Sequence, residues 1–372
     1  WDYNLNDIPL SVDISGDGEY IVVGTIEMRV YLFDKDSSSP LWTYDTGNNV
    51  NAVAISSDGN YIAVGSDDDK VYLFGKDSNE PVWSYDTGND VDTIDISADG
   101  HHIVAGTTDY DGGGTKVYFF NKESNTPIWT RSNFAYSVSM SANGEYFALA
   151  GEEDEPNLLL VHIPSLTSSE YQDDEDYQHV DMSADGQAIV IGSYSSLKFF
   201  GNGDSDNDGW ISEPDWSYTL DQNIKSISIS ENGEYIVAGS YDNKIYFFDK
   251  DGTNPLWIYE TAGDINSVSI SADGKYITAG SDDDSVYTFQ NSLAVRPSII
   301  PYGPSSGSEV EDPVLRWFAG SDDRANLTFD VYLGTNASSL TKVADDITAL
   351  SYTPSSLDKD AKYYWKVVAT DP

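Results

Sequence analysis

The chain has 372 residues, of which 39% are hydrophobic and 13% aromatic, so it can form a folded core, and its length predicts two or three domains. Acidic residues outnumber basic ones 63 to 19, and the formal charge of −44 makes nucleic acid and anionic lipid poor partners. The absence of cysteine excludes disulfides, thiolate metal sites and cysteine nucleophiles. No apolar run approaches the roughly 18 residues that cross a membrane, so we expect no membrane insertion.

A turn of the form Ser-x-Asp/Asn-Gly recurs along the first three quarters of the chain. Its glycines are spaced by 41, 41, 44, 42, 47 and 41 residues: Gly18, Gly59, Gly100, Gly144, Gly186, Gly233 and Gly274. Each unit contains four short apolar runs bounded by Gly, Asp, Asn or Pro, and none is long enough for a helix. Four strands about every 40 residues predict the blades of a β-propeller over residues 1–291.

The phase of the repeat predicts how the ring closes. Trp42 precedes Gly59 by 17 residues, Trp1 precedes Gly18 by the same 17, and the last repeat has no Trp strand of its own. We therefore expect seven blades, with the N-terminal strand completing the last one so that no sheet edge is left unpaired.

At these residues the chain resembles two propeller families. The stretch "ISSDGNYIAVGSDDDKVYLF" is similar to a WD40 repeat, although Leu73-Phe74 stands where that family has Trp-Asp. The stretch "VWSYDTG" resembles the tryptophan-containing repeats of PQQ-type quinoprotein propellers. The resemblance implies the fold over residues 1–291 and says little about function, because propellers have many activities.

After Asn291 the period stops. Residues 292–312 are rich in Pro, Ser and Gly and are interpreted as a linker. The alternating runs within 313–372 predict a β-sandwich that resembles the fibronectin type III-like, immunoglobulin-like modules of microbial, including archaeal, surface proteins. Trp317 is its expected core tryptophan, and Tyr363, Trp365 and Val367 are expected to share one face. Its last strand is missing, so we expect either that the natural chain continues or that a neighbouring molecule supplies the strand.

An acidic segment inserted in the fifth repeat has the spacing of a calcium loop. Asp204, Asp206 and Asp208 stand at positions 1, 3 and 5, Trp210 would offer its main-chain carbonyl at position 7, and Asp215 stands at position 12. Aspartate at position 12 and Pro214 depart from an EF-hand, so the motif resembles the helix-free calcium loops of surface proteins. The predicted ligand is a structural Ca²⁺; the alternative is a solvated acidic hairpin.

The other acidic runs are interpreted without a metal. "SDDDK", "SYDNK" and "SDDDS" recur between the second and third strands of a repeat, where Asp and Asn favour tight turns. Residues 151–156 and 173–176 are interpreted as solvated faces. Asn326 and Asn336 begin two glycosylation sequons, both in the predicted sandwich.

Catalytic patterns are sparse. "GPSSG" at 303–307 fits a nucleophile motif but lies in the predicted linker, not at a strand-to-helix turn. The four histidines show no metal spacing, and only Arg29 and Arg131 lie in the repeats, where a sialidase-type site needs an arginine cluster. A glycosidase pair among 63 acidic residues stays open.

We therefore expect a non-catalytic, extracellular or cell-surface protein of archaeal or marine bacterial type. It would be a calcium-stabilised structural or adhesive scaffold that assembles with other protein subunits into a surface layer or filament, with surface glycans as a second class of partner. The alternative is a propeller enzyme or cofactor-binding protein acting on polysaccharide or a quinone. A convergent Arg, His or carboxylate cluster at the centre of the ring would favour that alternative.

Overall fold

In the computed structural model of the chain, the described residues are 1–108, 115–132, 136–151, 156–201, 211, 213–291, 298–303, 314–320, 328–336, 339–349, 351–355, 357 and 361–370. They contain strands and turns and no helix, so none of them provides a helix able to cross a membrane. The all-β prediction is confirmed for these residues.

The repeats form seven successive antiparallel sheets, here called repeat sheets 1 to 7, with strands ordered as in the sequence. Repeat sheets 1 to 3 contain β1 (Pro9–Ile14), β2 (Tyr20–Thr25), β3 (Arg29–Asp34) and β4 (Trp42–Asp45); β5 (Val50–Ile55), β6 (Tyr61–Ser66), β7 (Lys70–Gly75) and β8 (Pro81–Asp86); and β9 (Asp90–Ile96), β10 (His102–Thr108), β11 (Lys116–Asn121) and β12 (Trp129–Ser132). Repeat sheets 4 and 5 contain β13 (Ser137–Met140), β14 (Tyr146–Ala150), β15 (Leu158–His162) and β16 (Thr167–Tyr171); and β17 (Tyr177–Met182), β18 (Ala188–Ser193), β19 (Ser196–Gly201) and β20 (Trp216–Thr219). Repeat sheets 6 and 7 contain β21 (Ile224–Ile229), β22 (Tyr235–Ser240), β23 (Lys244–Asp249) and β24 (Trp257–Glu260); and β25 (Ile265–Ile270), β26 (Tyr276–Ser281) and β27 (Ser285–Gln290).

The Ser-x-Asp/Asn-Gly turn joins the first and second strands of every repeat sheet. Its serine hydroxyl lies 2.6–2.8 Å from the Asp or Asn side-chain oxygen, as in Ser97 to Asp99, and its glycine has a positive φ of 63–74°. Glycine adopts this φ without steric penalty.

These turns also interlock neighbouring sheets. A Cβ on Gly100 would lie 2.5 Å from Cδ2 of Tyr61, which begins the second strand of the preceding sheet, and Gly59 is packed in the same way against Tyr20. At these two turns glycine is therefore required both by its φ and by the neighbouring tyrosine.

The first strands of successive repeat sheets contact one another from β1 to β25, so they line the axis of the array. Apolar side chains between adjacent sheets form the core. Between sheets 1 and 2, for example, Val30 and Leu32 are fully buried against Val53 and Ile55.

The predicted closure by the N-terminal strand is not present in this structure. Residues 1–8 form no strand, and repeat sheet 7 has three strands. The Trp1 indole donates to the Lys35 carbonyl (2.5 Å) and stacks on Phe33, which holds Trp1 against repeat sheet 1. The extensive contact that the other neighbouring first strands make is not found between β25 and β1 in the described residues.

Two three-stranded antiparallel sheets follow, with strand orders β28-β29-β32 and β31-β30-β33. Their strands are β28 (Ser298–Gly303), β29 (Leu315–Gly320), β30 (Thr328–Gly334), β31 (Thr341–Ile347), β32 (Ser351–Tyr352) and β33 (Tyr364–Thr370). Trp317 is fully buried in their shared core, where Tyr363, Trp365 and Val367 also pack, as predicted.

β28 lies within the stretch predicted as a linker, residues 292–312, and pairs with β29. The Pro, Ser and Gly content of this stretch suggested a linker. Proline is nevertheless tolerated at the edge of a sheet, and β28 is an edge strand whose register shifts between Pro301 and Gly303.

Candidate functional site: an acidic cluster on the inner strands

The predicted calcium loop lies largely outside the described residues, which include neither Asp204, Asp206, Asp208 nor Trp210. Asp215 is described: its Oδ2 accepts a hydrogen bond from the Gly201 main-chain N–H (2.7 Å). One carboxylate oxygen of Asp215, at position 12, thus joins the two ends of the insertion between β19 and β20 by a hydrogen bond. The calcium site stays a prediction.

A cleft of about 560 Å³ lies between repeat sheets 5 and 6, and Asp215 is part of its wall. Asp185, Glu234 and Asp251 bring three more carboxylates to it. The Lys250 ammonium also lines the cleft and binds Glu234 at 2.6 Å. The base of the predicted calcium loop therefore faces an acidic cleft.

Of the two predicted glycosylation sites, Asn326 lies outside the described residues. Asn336 is exposed in the turn that follows β30. Its position is accessible to modification; the modification itself stays a prediction.

The recurrent Asp-rich turns between second and third strands are structural, as predicted. Asp68 accepts hydrogen bonds from the Tyr72 hydroxyl (2.5 Å) and the Gly47 N–H (2.8 Å), and Asp69 has φ 66°. The same contact recurs from Tyr287 to Asp283 at 2.7 Å.

Asp173 is not the solvated residue that the sequence suggested. It pairs with the buried Lys198 ammonium and accepts hydrogen bonds from the hydroxyls of Tyr171 (2.9 Å) and Tyr177 (3.0 Å). Burial opposes ionisation of Asp173, but the ammonium and the hydroxyls outweigh it and lower the pKa of this carboxyl. By strand register Tyr171 corresponds to Tyr44 and Tyr85, and Ser169 stands where those repeats have tryptophan.

Three aspartates bridge the first strands near the axis. In repeat sheet 1, Asp13 accepts the N–H of Ile14 on its own strand (2.8 Å) and that of Ile55 on the next sheet's first strand (2.8 Å). Asp95 bridges Ile96 and Met140 (2.7 Å each), and Asp181 bridges Met182 and Ile229 (2.9 Å each). Here these are called the aspartate bridges; each satisfies edge N–H groups of two adjacent sheets.

The bridges occupy alternate sheets, and the corresponding positions of the others hold Ala54, Ser139, Ser228 and Ser269. Burial raises the pKa of Asp13 and Asp181 from 3.8 to about 6 and that of Asp95 to about 7, partly offset by the N–H donors. The charges of Asp13 and Asp181 further raise the pKa of Asp95. The three carboxyls therefore interact across the axis.

Glu231, in the turn after β21, adds a fourth carboxyl. Its Oε2 is buried and has no hydrogen-bond partner among the described residues. Burial, and then the charge of Asp181, raise its pKa from 4.5 to about 7. The four side chains, here called the axial carboxyls, are Asp13, Asp95, Asp181 and Glu231.

One end of the axis carries a second polar group at two β-bulges. The register shifts place Asn51 and Asp92 outside the regular pairing of their strands, and a bulge re-aims its side chain. The Asn51 amide donates to Asp92 (3.0 Å) and to Asp67, and the Thr108 hydroxyl also bonds Asp92. Burial raises the pKa of Asp92.

Sequence reasoning missed the axial carboxyls. A signal was present: Asp13, Asp95 and Asp181 each stand five residues before the turn glycine, in the first, third and fifth repeats. Aligning the repeats on that glycine would have isolated the position. The spacing could not show which N–H group on the neighbouring sheet each aspartate binds.

The described residues also include a compact acidic group on β30 and β31, formed by Asp330, Asp345 and Asp346. The Lys342 ammonium already lies between two of them, 2.5 Å from Asp330 and 2.8 Å from Asp345. One internal ammonium thus offsets part of the negative charge of this group.

Comparisons with known proteins match the chain to propeller repeats. A family described as "Outer membrane protein assembly factor BamB" matches residues 27–153, and one described as "WD domain, G-beta repeat" matches residues 216–249 and 253–289. A crystal structure of RRP9 WD40 repeats superposes with a TM-score of 0.59 at 17% identity, covering 75% of this chain and 88% of that one. No curated protein sequence matches the chain.

Together the two repeat families, the WD40 structure and the successive antiparallel sheets show that the chain contains a β-propeller. At 17% identity the structural likeness concerns the fold alone.

Proposed function

We propose that this chain is a non-catalytic scaffold of an extracellular or cell surface, built on a rigid acidic propeller and assembling with other protein subunits. The aspartate bridges carry the proposal. The three bridging aspartates have both oxygens committed to main-chain N–H groups of adjacent sheets, as Asp95 has to Ile96 and Met140. Such groups join sheets and are poorly placed to act as a nucleophile or a base.

The charge supports the surface setting of this proposal. At −44 the isolated chain repels copies of itself, and salt or divalent cations reduce that repulsion. Calcium held by Asp204 to Asp215 would stabilise the fifth repeat. Assembly is therefore expected to require divalent cations.

Sedimentation velocity tests this function. The protein is run in NaCl, in CaCl₂ of equal ionic strength, and in CaCl₂ with excess chelator. We expect faster-sedimenting assemblies in calcium that revert on chelation. A single species with the same sedimentation coefficient in all three would contradict the proposal.

For the architecture we propose seven blades in a ring and, after them, a fibronectin type III-like sandwich. The two terminal sheets support the ring. Val12 and Ile14 on β1 are 66% and 55% exposed, whereas the equivalent Val53 and Ile55 of sheet 2 are 7% and 6% exposed. On the opposite terminal sheet Val286 is 80% exposed, and its equivalent Val30 is fully buried. The outer faces of repeat sheets 1 and 7 thus expose apolar residues whose equivalents in other repeat sheets are buried.

Trp1 already occupies the place of a preceding sheet's fourth strand. Its indole bond to Lys35 O matches those from Trp42 to Lys76 O and from Trp83 to Lys122 O, both 2.8 Å. Contact between repeat sheets 7 and 1 would bring β27 beside it.

A cysteine pair tests ring closure, since the chain has no cysteine of its own. Val12→Cys with Val286→Cys should oxidise to an intramolecular disulfide at the same rate as the control pair Val53→Cys with Val30→Cys, which the structure packs together. Dimers and larger species, or no cross-link when the control pair reacts, would refute closure.

The enzyme or cofactor-binding alternative remains a second candidate, because carboxyls from several repeat sheets lie along the first strands that line the axis. It requires one carboxyl to act on a substrate there. Loss of a measured polysaccharide-cleaving or quinone-dependent activity in Asp95→Asn, with sedimentation unchanged, would favour it over the scaffold.

A further inference from the structure

The axial carboxyls have an unbalanced charge. None of the four forms a salt bridge with a Lys or Arg in the described part of the chain. His179 stands on the same strand, two residues before Asp181, and burial and then Lys225 lower its pKa to about 4. The imidazole is therefore neutral at pH 7 and cannot compensate the carboxylates.

Glu231 is the axial carboxyl whose negative charge has the least compensation. The aspartates use their oxygens on N–H groups, but the Glu231 Oε2 is buried without a partner and close enough to Asp181 for their charges to interact. A buried carboxylate oxygen without hydrogen bond or counterion is costly. The equivalent positions in three other turns hold Ala98, Ala142 and Ala184, which pack together, so the glutamate is a departure from the repeat at this end of the axis.

The carboxyls are spread around the axis. Among the described residues, the group of three carboxylates with oxygens within 4.8 Å of one another is on β30 and β31. A cation at the axis would therefore reach most of these side chains through its own water molecules. Magnesium keeps several waters and is bound through one or two carboxylates, whereas calcium takes six to eight direct oxygens.

We propose that the propeller axis binds one hydrated divalent cation of the magnesium type, with Glu231 as the direct ligand and Asp181, Asp95 and Asp13 as partners of its water shell. This site is separate from the predicted calcium loop and does not depend on the proposed function. Its role would be to hold the first strands together by neutralising the carboxyls that bridge them.

Calorimetric titration with MgCl₂ tests the proposal, using Asp204→Asn/Asp206→Asn/Asp208→Asn as the background to remove the loop. Ionic strength is matched with NaCl throughout, and the melting temperature is measured alongside. We expect one equivalent of Mg²⁺ and a higher melting temperature than in NaCl.

Glu231→Gln keeps the side-chain shape, so the fold should persist, which near-ultraviolet circular dichroism checks. It should weaken Mg²⁺ binding about tenfold or more and remove the magnesium-dependent rise in melting temperature. The matched control is Glu234→Gln, a change to a half-exposed carboxyl that pairs with Lys250 at the surface. Equal effects of MgCl₂ and NaCl would show screening alone and overturn the site, as would unchanged binding in Glu231→Gln.

Discussion

Replacing Gly100 by alanine tests the interlock between turn and neighbouring sheet. Gly100 has φ 69°, and an alanine there is expected to cost about 1–2 kcal/mol in the left-handed region. Its Cβ would also lie 2.5 Å from Cδ2 of Tyr61, inside the contact distance, and overpacking of this kind costs about 1–3 kcal/mol. Gly100→Ala should therefore lower the free energy of unfolding by about 2–5 kcal/mol, measured by urea denaturation with tryptophan fluorescence.

Two glycines separate the contributions. Gly75 has neither a positive φ nor a heavy atom near its would-be Cβ, so Gly75→Ala should leave stability within about 1 kcal/mol. Gly18 has φ 73° and open space in this structure, so Gly18→Ala should show the backbone term alone, unless ring closure brings Tyr276 against it as Tyr61 lies against Gly100. If Gly100→Ala destabilised no more than Gly75→Ala, the interlock would be wrong.

Three further predictions concern charged groups. Because folding raises the pKa of Asp95 from 3.8 to about 7, its contribution to stability is greatest below pH 4 and is lost as pH rises toward 7. Between pH 4.5 and 7.5, the free energy of unfolding of Asp95→Asn should therefore change less with pH than that of wild type. An equal pH dependence of the two proteins would refute the assignment. Lys198→Met leaves Asp173 half-buried without its cation and should lower the free energy of unfolding, measured in urea, by about 2–3 kcal/mol. The control Lys35→Met removes an exposed ion pair and should change this free energy little, so similar losses of stability in both variants would contradict a structural role for Lys198. Chelation of calcium should lower the melting temperature of wild type but not of Asp206→Asn, and a wild-type melting temperature that chelator leaves unchanged would argue for a solvated hairpin.

The repeats were predictable because their signals are local. The Ser-x-Asp/Asn-Gly turn specifies its own hydrogen bonds and φ, and so the first and second strands of each repeat could be placed from turns such as the one at Gly59. Trp317 as a core residue followed from the resemblance of its stretch to fibronectin type III-like modules. These features depend on residues close together in the sequence.

Ring closure and the axial carboxyls depend on residues far apart, and spacing alone did not resolve them. Asp13 bonds Ile55 across 42 residues, and its role appears only when two sheets are placed side by side. Asp173 likewise looked like part of a solvated run until Lys198 was brought against it. Edge strand β28 was not predicted because its stretch contains Pro301, and proline is typical of loops.

Electron microscopy of the purified protein tests the scaffold most directly. Samples are imaged in salt with calcium and then with excess chelator. We predict ordered filaments or sheets in calcium that come apart on chelation. Monodisperse single particles in both conditions would contradict assembly and leave a soluble binding or catalytic propeller.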